Sequence, residues 1–330
     1  MTSLSIIGGG SWGTALAIVL APRFERVRLW VYEPDLTERM RQTRENDVYL
    51  PGFRVPDTVE ITNSLDRVMA GTEVVLSAVP SHLVRSIYQK IQPFARRRMV
   101  FVSATKGVEN GSLLRMSEVI REVLGSNTRV AAISGPTFAR EVARLDPTAL
   151  VVASTNSGLA QALQTQFSSS TFRLYTSADT IGVEIGGSIK NVVAIGAGVL
   201  HGLELGQNAM AALITRGLAE IARLGVAMGA KSQTMAGLAG LGDLVLTCTG
   251  ELSRNRTVGI ELARGRKLQE IVDSMKMVAE GIKTTKAVIE LANRYSVEMP
   301  IAEQMYQMLY GGTSPREAIQ RLMERTLKGE

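Results

Sequence analysis

The amino-acid sequence predicts an α/β protein, in which a mainly parallel, doubly wound sheet is followed by an all-α C-terminal domain. Short β-branched runs alternate with helical patterns through the first half of the chain. After about residue 184 the strand signals stop, and long patterns rich in Ala, Leu, Ile and Met at helical spacing take over. A length of 330 residues suits two domains. We therefore expect domains at 1–182 and 183–330.

The individual elements follow from the same patterns. Seven segments have the composition of strands, namely 4–7, 27–32, 74–79, 99–104, 130–134, 149–153 and 172–176. The sheet is expected to end near Asp179. In the second half, 210–228 and 283–294 are predicted helices, and 186–191 is predicted to open the first long helix.

Composition excludes several classes of protein. The longest apolar runs, such as 192–200, are far shorter than the ~18–20 residues of a membrane span. No signal-peptide pattern begins the chain, so a cytoplasmic protein without a membrane span is expected. A single cysteine and two histidines leave little for a soft metal, and no metal is predicted. The net charge of +6 is modest for this length and predicts no nucleic-acid partner.

A glycine-rich turn follows the first predicted strand. Gly8-x-Gly10-x-x-Gly13 leads into an apolar helix that begins with Ser11 and Trp12. Gly8 permits a tight turn, Gly10 lets a pyrophosphate approach the backbone, and Gly13 lets the helix pack closely on the strand. The amides at the helix N-terminus face the anion. The turn therefore predicts a Rossmann-like domain that binds a dinucleotide.

The end of the second predicted strand bears on the choice between NAD and NADP. Glu33 falls about 20 residues after the last glycine, where a carboxylate accepts a hydrogen bond from the adenosine ribose. Tyr32 or Arg28 could instead suit a 2′-phosphate. The cofactor is therefore NAD or NADP, with Glu33 favouring NAD.

Further segments combine glycines with polar side chains that a core would not select. Lys106 follows one predicted strand and 134–139 follows another, both at the edge where parallel sheets bind ligands. Lys190 lies in 186–191, and Asp243 and 253–256 come later. Two polar segments at one sheet edge predict a single pocket.

Taken together and in order, these motifs resemble the bacterial-type NAD(P)-dependent glycerol-3-phosphate dehydrogenases over essentially the whole chain. The matching segments are the glycine turn, 104–107, 135–139, 186–191, 239–243, 253–256 and 278–281. The resemblance implies reversible conversion of dihydroxyacetone phosphate to sn-glycerol 3-phosphate, which supplies glycerophospholipid synthesis.

The resemblance also implies roles for individual residues. Lys190 is the implied acid/base residue. Implied substrate contacts are Lys106, Gly135, Thr137, Asp243, Ser253, Arg254 and Asn255. Implied cofactor contacts are Ser11, Trp12, Lys106, Ala139, Arg254, Val278 and Glu280, beside Gly8, Gly10, Gly13, Tyr32 and Glu33. The family often has an arginine or histidine near the end of the second strand, and Tyr32-Glu33 departs from that pattern, which weakens an expected preference for NADP.

The chemistry is compatible with these residue types. Reduction of a ketone needs a proton at the oxygen, and the ammonium group of Lys190 is a competent donor. A nearby Asp243 would raise the pKa of that lysine and a nearby Lys106 would lower it, so we expect reduction near neutrality and oxidation that increases with pH. Arg254 offers a planar fork for phosphate, and Asn255 adds a neutral donor.

Some interpretations stay open at this point. Asn191 either faces the site or caps a helix, Arg256 binds substrate or pairs with a surface carboxylate, and His82 lies near the cofactor or is structural. Cys248 is expected to be buried, since no adjacent histidine could activate it. A β-hydroxyacid or 6-phosphogluconate-type dehydrogenase and a non-catalytic nicotinamide sensor are the alternative functions. The apolar helices of the second half could also cover a homodimer interface.

Overall fold

The computed structural model describes residues 1–275, 277–327 and 329. The strands are β1 (Ser3–Ile7), β2 (Arg26–Trp30), β3 (Glu45–Asn46), β4 (Leu50–Arg54), β5 (Val59–Thr62), β6 (Val74–Ser77), β7 (Val100–Ser103), β8 (Arg129–Ser134), β9 (Thr148–Ala153) and β10 (Phe172–Ser177). The helices of the first half are α1 (Ser11–Leu20), α2 (Pro34–Thr43), α3 (Leu65–Met69), α4 (Val84–Ile91), α5 (Met116–Leu124), α6 (Ala139–Ala143) and α7 (Ser157–Phe167). Those of the second half are α8 (Thr180–Gly202), α9 (Gln207–Ala227), α10 (Ser232–Met235), α11 (Asp243–Thr249), α12 (Arg254–Ala263), α13 (Leu268–Ser274), α14 (Glu280–Tyr295), α15 (Pro300–Tyr310) and α16 (Pro315–Met323).

Within the described chain, eight strands form one sheet in the order β10-β9-β8-β7-β6-β1-β2-β5. Six adjacent strands are parallel, in the order β8, β7, β6, β1, β2 and β5. The strand β9 runs antiparallel to β8, and β10 is parallel to β9. The predicted mainly parallel sheet is confirmed, with all seven predicted strands in it. The strand β5 and the small β3–β4 hairpin were not predicted, because these strands are short and β4 contains a proline and a glycine.

Helices cover both faces of the sheet, as a doubly wound fold requires. The adjacent residues Ile6 and Ile7 of β1 are both fully buried, and they belong to two different cores because successive side chains of a strand point to opposite faces. Residues of α1 and α7 lie in the core of Ile6, and residues of α4 and α5 lie in the core of Ile7. The carboxyl ends of the parallel strands are left as the edge where the site forms.

The sheet gives way to helices at Asp179. β10 ends at Ser177, and the Asp179 carboxylate accepts a hydrogen bond of 2.8 Å from the amide of Gly182, which caps α8. Beyond this point the regular structure of the described residues is helical. The predicted domain boundary after residue 182 falls in the first turn of α8, and this boundary stays a prediction.

The prediction that 186–191 opens a helix is wrong. Because Asp179 supplies the cap, α8 begins at Thr180, and Lys190 lies near the middle of its 23 residues. By length and composition, with a mean hydropathy of 1.4, α8 could cross a membrane, although the longest apolar run in the sequence suggested otherwise. Its apolar window is 100% buried inside the protein, so α8 is the central core helix of the second half.

Close packing brings α12 against α8. A Cβ at Gly198 of α8 would overlap the carbonyl oxygen of Arg256 in α12, so only glycine allows the two backbones to approach this closely. Val258 of α12 is fully buried. This approach places the N-terminus of α12 beside the middle of α8, where Lys190 lies.

A buried ion pair joins the sheet to the helical half. Arg115, at the start of α5, donates to the carboxylate of Glu184 in α8 at 2.6 Å. The amide and the hydroxyl of Ser117 donate to the same carboxylate at 2.8 and 2.6 Å. Both charged side chains are almost fully buried, and removal of Glu184 would leave Arg115 with only its second partner, the partly exposed Glu118.

Candidate active site

A cavity of about 860 Å³ lies at the carboxyl edge of the parallel strands, between the sheet and the helical half. Most of the residues singled out from the sequence line it: Gly8, Gly10, Ser11, Trp12, Tyr32, Glu33, Lys106, Thr137, Ala139, Lys190, Asp243, Ser253, Arg254, Asn255, Val278 and Glu280. Gly13 and Gly135 are not among the lining residues. The cavity is long enough to join the glycine turn at one end to the lysines at the other.

The glycine turn forms a cradle for an anion. A Cβ at Gly13 would overlap the carbonyl oxygen of Gly8, so Gly13 acts through the packing of α1 on β1. A Cβ at Gly10 would meet no atom of the described part of the chain within 4 Å, because this position faces open space at the cavity wall. Among the described residues, no side chain caps the N-terminus of α1, which leaves its first amides available. The residues present therefore fit a dinucleotide pyrophosphate.

A short hydrogen-bonded chain links this turn to Glu33. The Asn46 side-chain amide donates to the carbonyl of Gly9 at 2.8 Å and to the hydroxyl of Thr14 at 2.9 Å. The Asn46 side-chain oxygen accepts from the amide of Tyr49 at 2.9 Å, and the Tyr49 hydroxyl donates to Glu33 Oε1 at 2.8 Å. Burial, together with the bonded carboxylate, raises the pKa of Tyr49 to about 12. Sequence reasoning missed Asn46 and Tyr49, since they belong to a hairpin without a recognisable motif.

At the other end, one carboxylate joins both lysines. Asp243 is fully buried and accepts from the ammonium groups of Lys190 and Lys106, the latter at 2.7 Å. Lys106 also donates to the carbonyl of Gly135 at 2.9 Å, which is how Gly135 contributes without lining the cavity. Lys190 also donates to the hydroxyl of Thr247 at 2.7 Å. Sequence reasoning missed Thr247, although a position four residues after Asp243 on a helix shares its face.

The environment of Lys190 sets its acidity. Burial lowers its pKa to about 7, and the charge of Lys106 lowers it too, while Asp243 acts in the opposite direction. The effects of Asp243 and Lys106 on this pKa were expected from the sequence, but the burial that outweighs the effect of Asp243 follows from the central position of α8. Near neutral pH, Lys190 is thus present both as an ammonium donor and as an amine acceptor.

A second polar cluster lies at the N-terminus of α12. Asn255 donates to the side-chain oxygen of Asn191 at 2.9 Å and accepts from the amide of Gly281 at 2.9 Å. Asn191 lies inside α8, so the alternative that it caps a helix is wrong. Ser253 caps α12 by accepting from the amide of Arg256 at 3.3 Å. The exposed side chain of Arg254 borders the cavity beside them.

The loop after β6 is tied to α14 through Glu280. The amide and hydroxyl of Ser81 donate to its carboxylate at 3.1 and 2.6 Å. Burial raises the pKa of Glu280, and the hydrogen bonds from Ser81 and then the charge of Arg254 partly offset this effect. Sequence reasoning missed Ser81, although it directly precedes the candidate His82. This contact joins the two halves of the protein across the cavity.

The remaining candidates lie elsewhere. His82 and Arg256 are not among the residues that line the cavity. Cys248 is buried, and burial raises its pKa to about 12, so its thiol is not activated. Across residues 1–275, 277–327 and 329, no group of three or more His, Cys, Asp or Glu side chains is placed to hold a metal ion.

Comparison with known proteins gives consistent matches along the chain. Residues 3–160 match the model of the NAD-dependent glycerol-3-phosphate dehydrogenase N-terminus, and residues 179–320 match that of the C-terminus. A glycerol-3-phosphate dehydrogenase (NAD(P)+) of Koribacter versatilis is 55% identical over 98% of both chains, and one of Syntrophotalea carbinolica is 51% identical over 99% of both. The crystal structure of a glycerol-3-phosphate dehydrogenase from Coxiella burnetii superposes with a TM-score of 0.94 at 41% identity, covering 98% of this chain and 99% of that one.

Proposed function

The chain belongs to the NAD-dependent glycerol-3-phosphate dehydrogenase family, and we propose that it reversibly reduces dihydroxyacetone phosphate to sn-glycerol 3-phosphate with NADH or NADPH. The observation that carries this proposal is Asp243, which joins two lysines in a cavity whose far end is the glycine turn. A bound nicotinamide dinucleotide supplies the hydride. The proton and the stabilisation of negative charge must come from residues that line the cavity.

Lys190 is the proposed proton donor for reduction and proton acceptor for oxidation. Hydride addition leaves negative charge on the former ketone oxygen, which needs a proton or a compensating positive charge. A lysine with a pKa of about 7 can give up a proton near neutrality and can take one back in the reverse direction. Asp243 and Thr247 hold the Lys190 ammonium group by hydrogen bonds and thereby fix its direction.

Lys106 is proposed to contact the substrate while it supports the charge balance of the site. Its ammonium lies 2.7 Å from Asp243 and 3.4 Å from the hydroxyl of Thr137, which also lines the cavity. A second positive charge beside Asp243 lowers the pKa of Lys190 and favours a polarised ketone oxygen.

The N-terminus of α12 is the proposed phosphate site. Arg254 provides a planar fork, and it opens a ten-residue helix whose first residues line the same cavity. Asn255 uses one N–H on Asn191, which leaves its second N–H as a donor. Gly135, Thr137 and Ser253 complete the proposed substrate contacts, and Ser11, Trp12, Ala139, Val278 and Glu280 the proposed cofactor contacts.

The setting of the reaction is also part of the proposal. The product carries the phosphorylated glycerol backbone of glycerophospholipids, so we place the enzyme in the supply of that synthesis, in the cytoplasm. A homodimer is proposed through the exposed face of α9 and its flanks, where Leu205 and Val226 are 42% and 48% exposed. Sedimentation of the purified protein tests this, because a monomer at micromolar concentration would contradict it.

A substrate panel tests the proposed reaction. We expect rapid NAD(P)H oxidation with dihydroxyacetone phosphate and much slower oxidation with unphosphorylated dihydroxyacetone or with β-keto acids. Preferential turnover of a β-keto acid would instead assign the chain a β-hydroxyacid dehydrogenase activity. Tight NADH binding without turnover of any ketone would favour a sensor.

A further inference from the structure

We propose that Tyr49 is a positioning residue that holds Glu33 toward the adenosine ribose, and that this pair makes the protein select NADH over NADPH. The inference rests on the proposed use of a nicotinamide dinucleotide and deepens it. The Tyr49 hydroxyl donates to Glu33 Oε1 at 2.8 Å, and both residues line the cavity.

The position of Tyr49 is itself fixed by the glycine turn. Asn46 is fully buried and bonds the carbonyl of Gly9 through its side-chain nitrogen, while its side-chain oxygen holds the amide of Tyr49. The hairpin of β3 and β4 is thereby anchored to the same backbone that forms the pyrophosphate cradle. A cofactor seated on the turn would therefore meet Tyr49 and Glu33 in a defined place.

The direction of the hydrogen bond decides what this end of the cavity accepts. A tyrosine hydroxyl has one proton, and Tyr49 gives it to Glu33, so it has none left to donate to a phosphate. Glu33 still has Oε2 to accept a proton from a ribose hydroxyl. A 2′-phosphate would place a second negative charge beside the Glu33 carboxylate. Repulsion between these like charges disfavours binding.

Two cations of the cavity wall oppose this preference. Lys90 and Arg140 also line the cavity, and the Arg140 guanidinium lies 5.5 Å from the centre of the Phe53 ring. Either could pair with a 2′-phosphate. Direct measurement of both cofactors therefore decides between the carboxylate and the cations.

The test measures dissociation constants of NADH and NADPH by fluorescence titration, without substrate. Tyr49→Phe removes the hydroxyl and keeps the ring, Glu33→Ala removes the carboxylate, and the double variant completes a thermodynamic cycle. Tyr175→Phe is the matched control, because it removes a hydroxyl outside the cavity. Tyr175 lies on β10, at the sheet edge opposite β5. Initial rates with dihydroxyacetone phosphate and melting temperatures are measured on the same variants.

We expect the wild-type protein to bind NADH at least about tenfold more tightly than NADPH. Tyr49→Phe should lower this ratio about three- to tenfold, the value of one hydrogen bond, by weakening NADH binding with kcat nearly unchanged. In the Glu33→Ala background, Tyr49→Phe should have no further effect, because Tyr49 acts through Glu33.

Three results would overturn the inference: a wild-type preference for NADPH, an unchanged ratio in Tyr49→Phe, or an equal loss with and without Glu33. The last would mean that Tyr49 contacts the cofactor directly. Because the titrations need no turnover, failure to reduce dihydroxyacetone phosphate would reject the proposed function and leave this test intact. Glu33→Ala alone still tests the charge effect if Tyr49→Phe does not fold.

Discussion

Asp243→Asn should shift the pH dependence of catalysis, because it removes the charge that opposes the burial of Lys190. Asp243 is fully buried and bonds both lysines. Two unit charges about 3 Å apart attract by about 5 kcal/mol at an effective dielectric constant of 20. If half of this is offset by relaxation, the pKa of Lys190 drops about two pH units below its value near 7.

The consequence for rate depends on pH and on direction. Reduction uses protonated Lys190, so a pKa lower by about two makes the variant roughly 80-fold slower at pH 7.5 but only about fourfold slower at pH 5.5. Oxidation uses the neutral amine, so its rise with pH should begin about two pH units earlier than in the wild-type protein.

Initial rates in both directions between pH 5.5 and 9.5, followed by NADH absorbance, measure this shift. Asp57→Asn is the control, since Asp57 is an exposed carboxylate whose side chain is 73% accessible, and its profile should match the wild type. A loss of activity in Asp243→Asn that is uniform across pH would refute the reasoning. A pH–rate profile whose rising and falling limbs stay at the wild-type pH values would refute it as well.

Three further predictions concern the phosphate, the cofactor cradle and the joint between the two halves. Arg254→Ala should raise KM for dihydroxyacetone phosphate about 100-fold, the loss of a charge-assisted fork, but should raise KM for unphosphorylated dihydroxyacetone far less, as steady-state kinetics would show. Gly10→Ala should keep the wild-type melting temperature and weaken NADH binding about tenfold or more, because its Cβ enters the cradle, whereas Gly13→Ala should lower the melting temperature, because its Cβ overlaps backbone. Glu184→Ala should lower the free energy of unfolding by about 2–3 kcal/mol in urea titrations, since it leaves two donors of Ser117 without their acceptor and Arg115 with Glu118 as its remaining carboxylate.

Each of these has a matched control or a contradicting result. Equal KM changes for the phosphorylated and unphosphorylated substrates would argue against a phosphate role for Arg254. Wild-type NADH affinity in Gly10→Ala would place the pyrophosphate elsewhere. Glu317→Ala breaks an exposed pair with Arg321 and should cost no more than about 0.5 kcal/mol. A loss in Glu184→Ala no larger than this would contradict the account of the buried pair.

The parts of the fold that local patterns encode were predictable. The β-branched runs gave the strands of the main sheet, and the three glycines after β1 gave the dinucleotide turn, because each depends on residues adjacent in sequence. The strand β5 and the β3–β4 hairpin were missed, since β5 has only four residues, β3 only two, and β4 contains a proline and a glycine. The start of α8 was misplaced because its cap, Asp179, precedes the apolar pattern.

The chemistry of the site depends on contacts between distant residues. The resemblance to a family named Lys106, Lys190 and Asp243, but their hydrogen bonds span 53 and 137 residues. The low pKa of Lys190 arises from burial inside α8, which the expected helix start did not indicate. Tyr49 was missed for the same reason, because its importance comes from a tertiary hydrogen bond to Glu33.

The most direct test of the account is the effect of Lys190→Met on the reduction of dihydroxyacetone phosphate. Rates at pH 7 and NADH dissociation constants are measured on the same folded preparation. We predict that kcat falls about 1000-fold, within the range of general acid catalysis, while NADH affinity stays within about twofold of the wild type. A folded variant that keeps more than about a tenth of the wild-type kcat would contradict the role of Lys190 as proton donor.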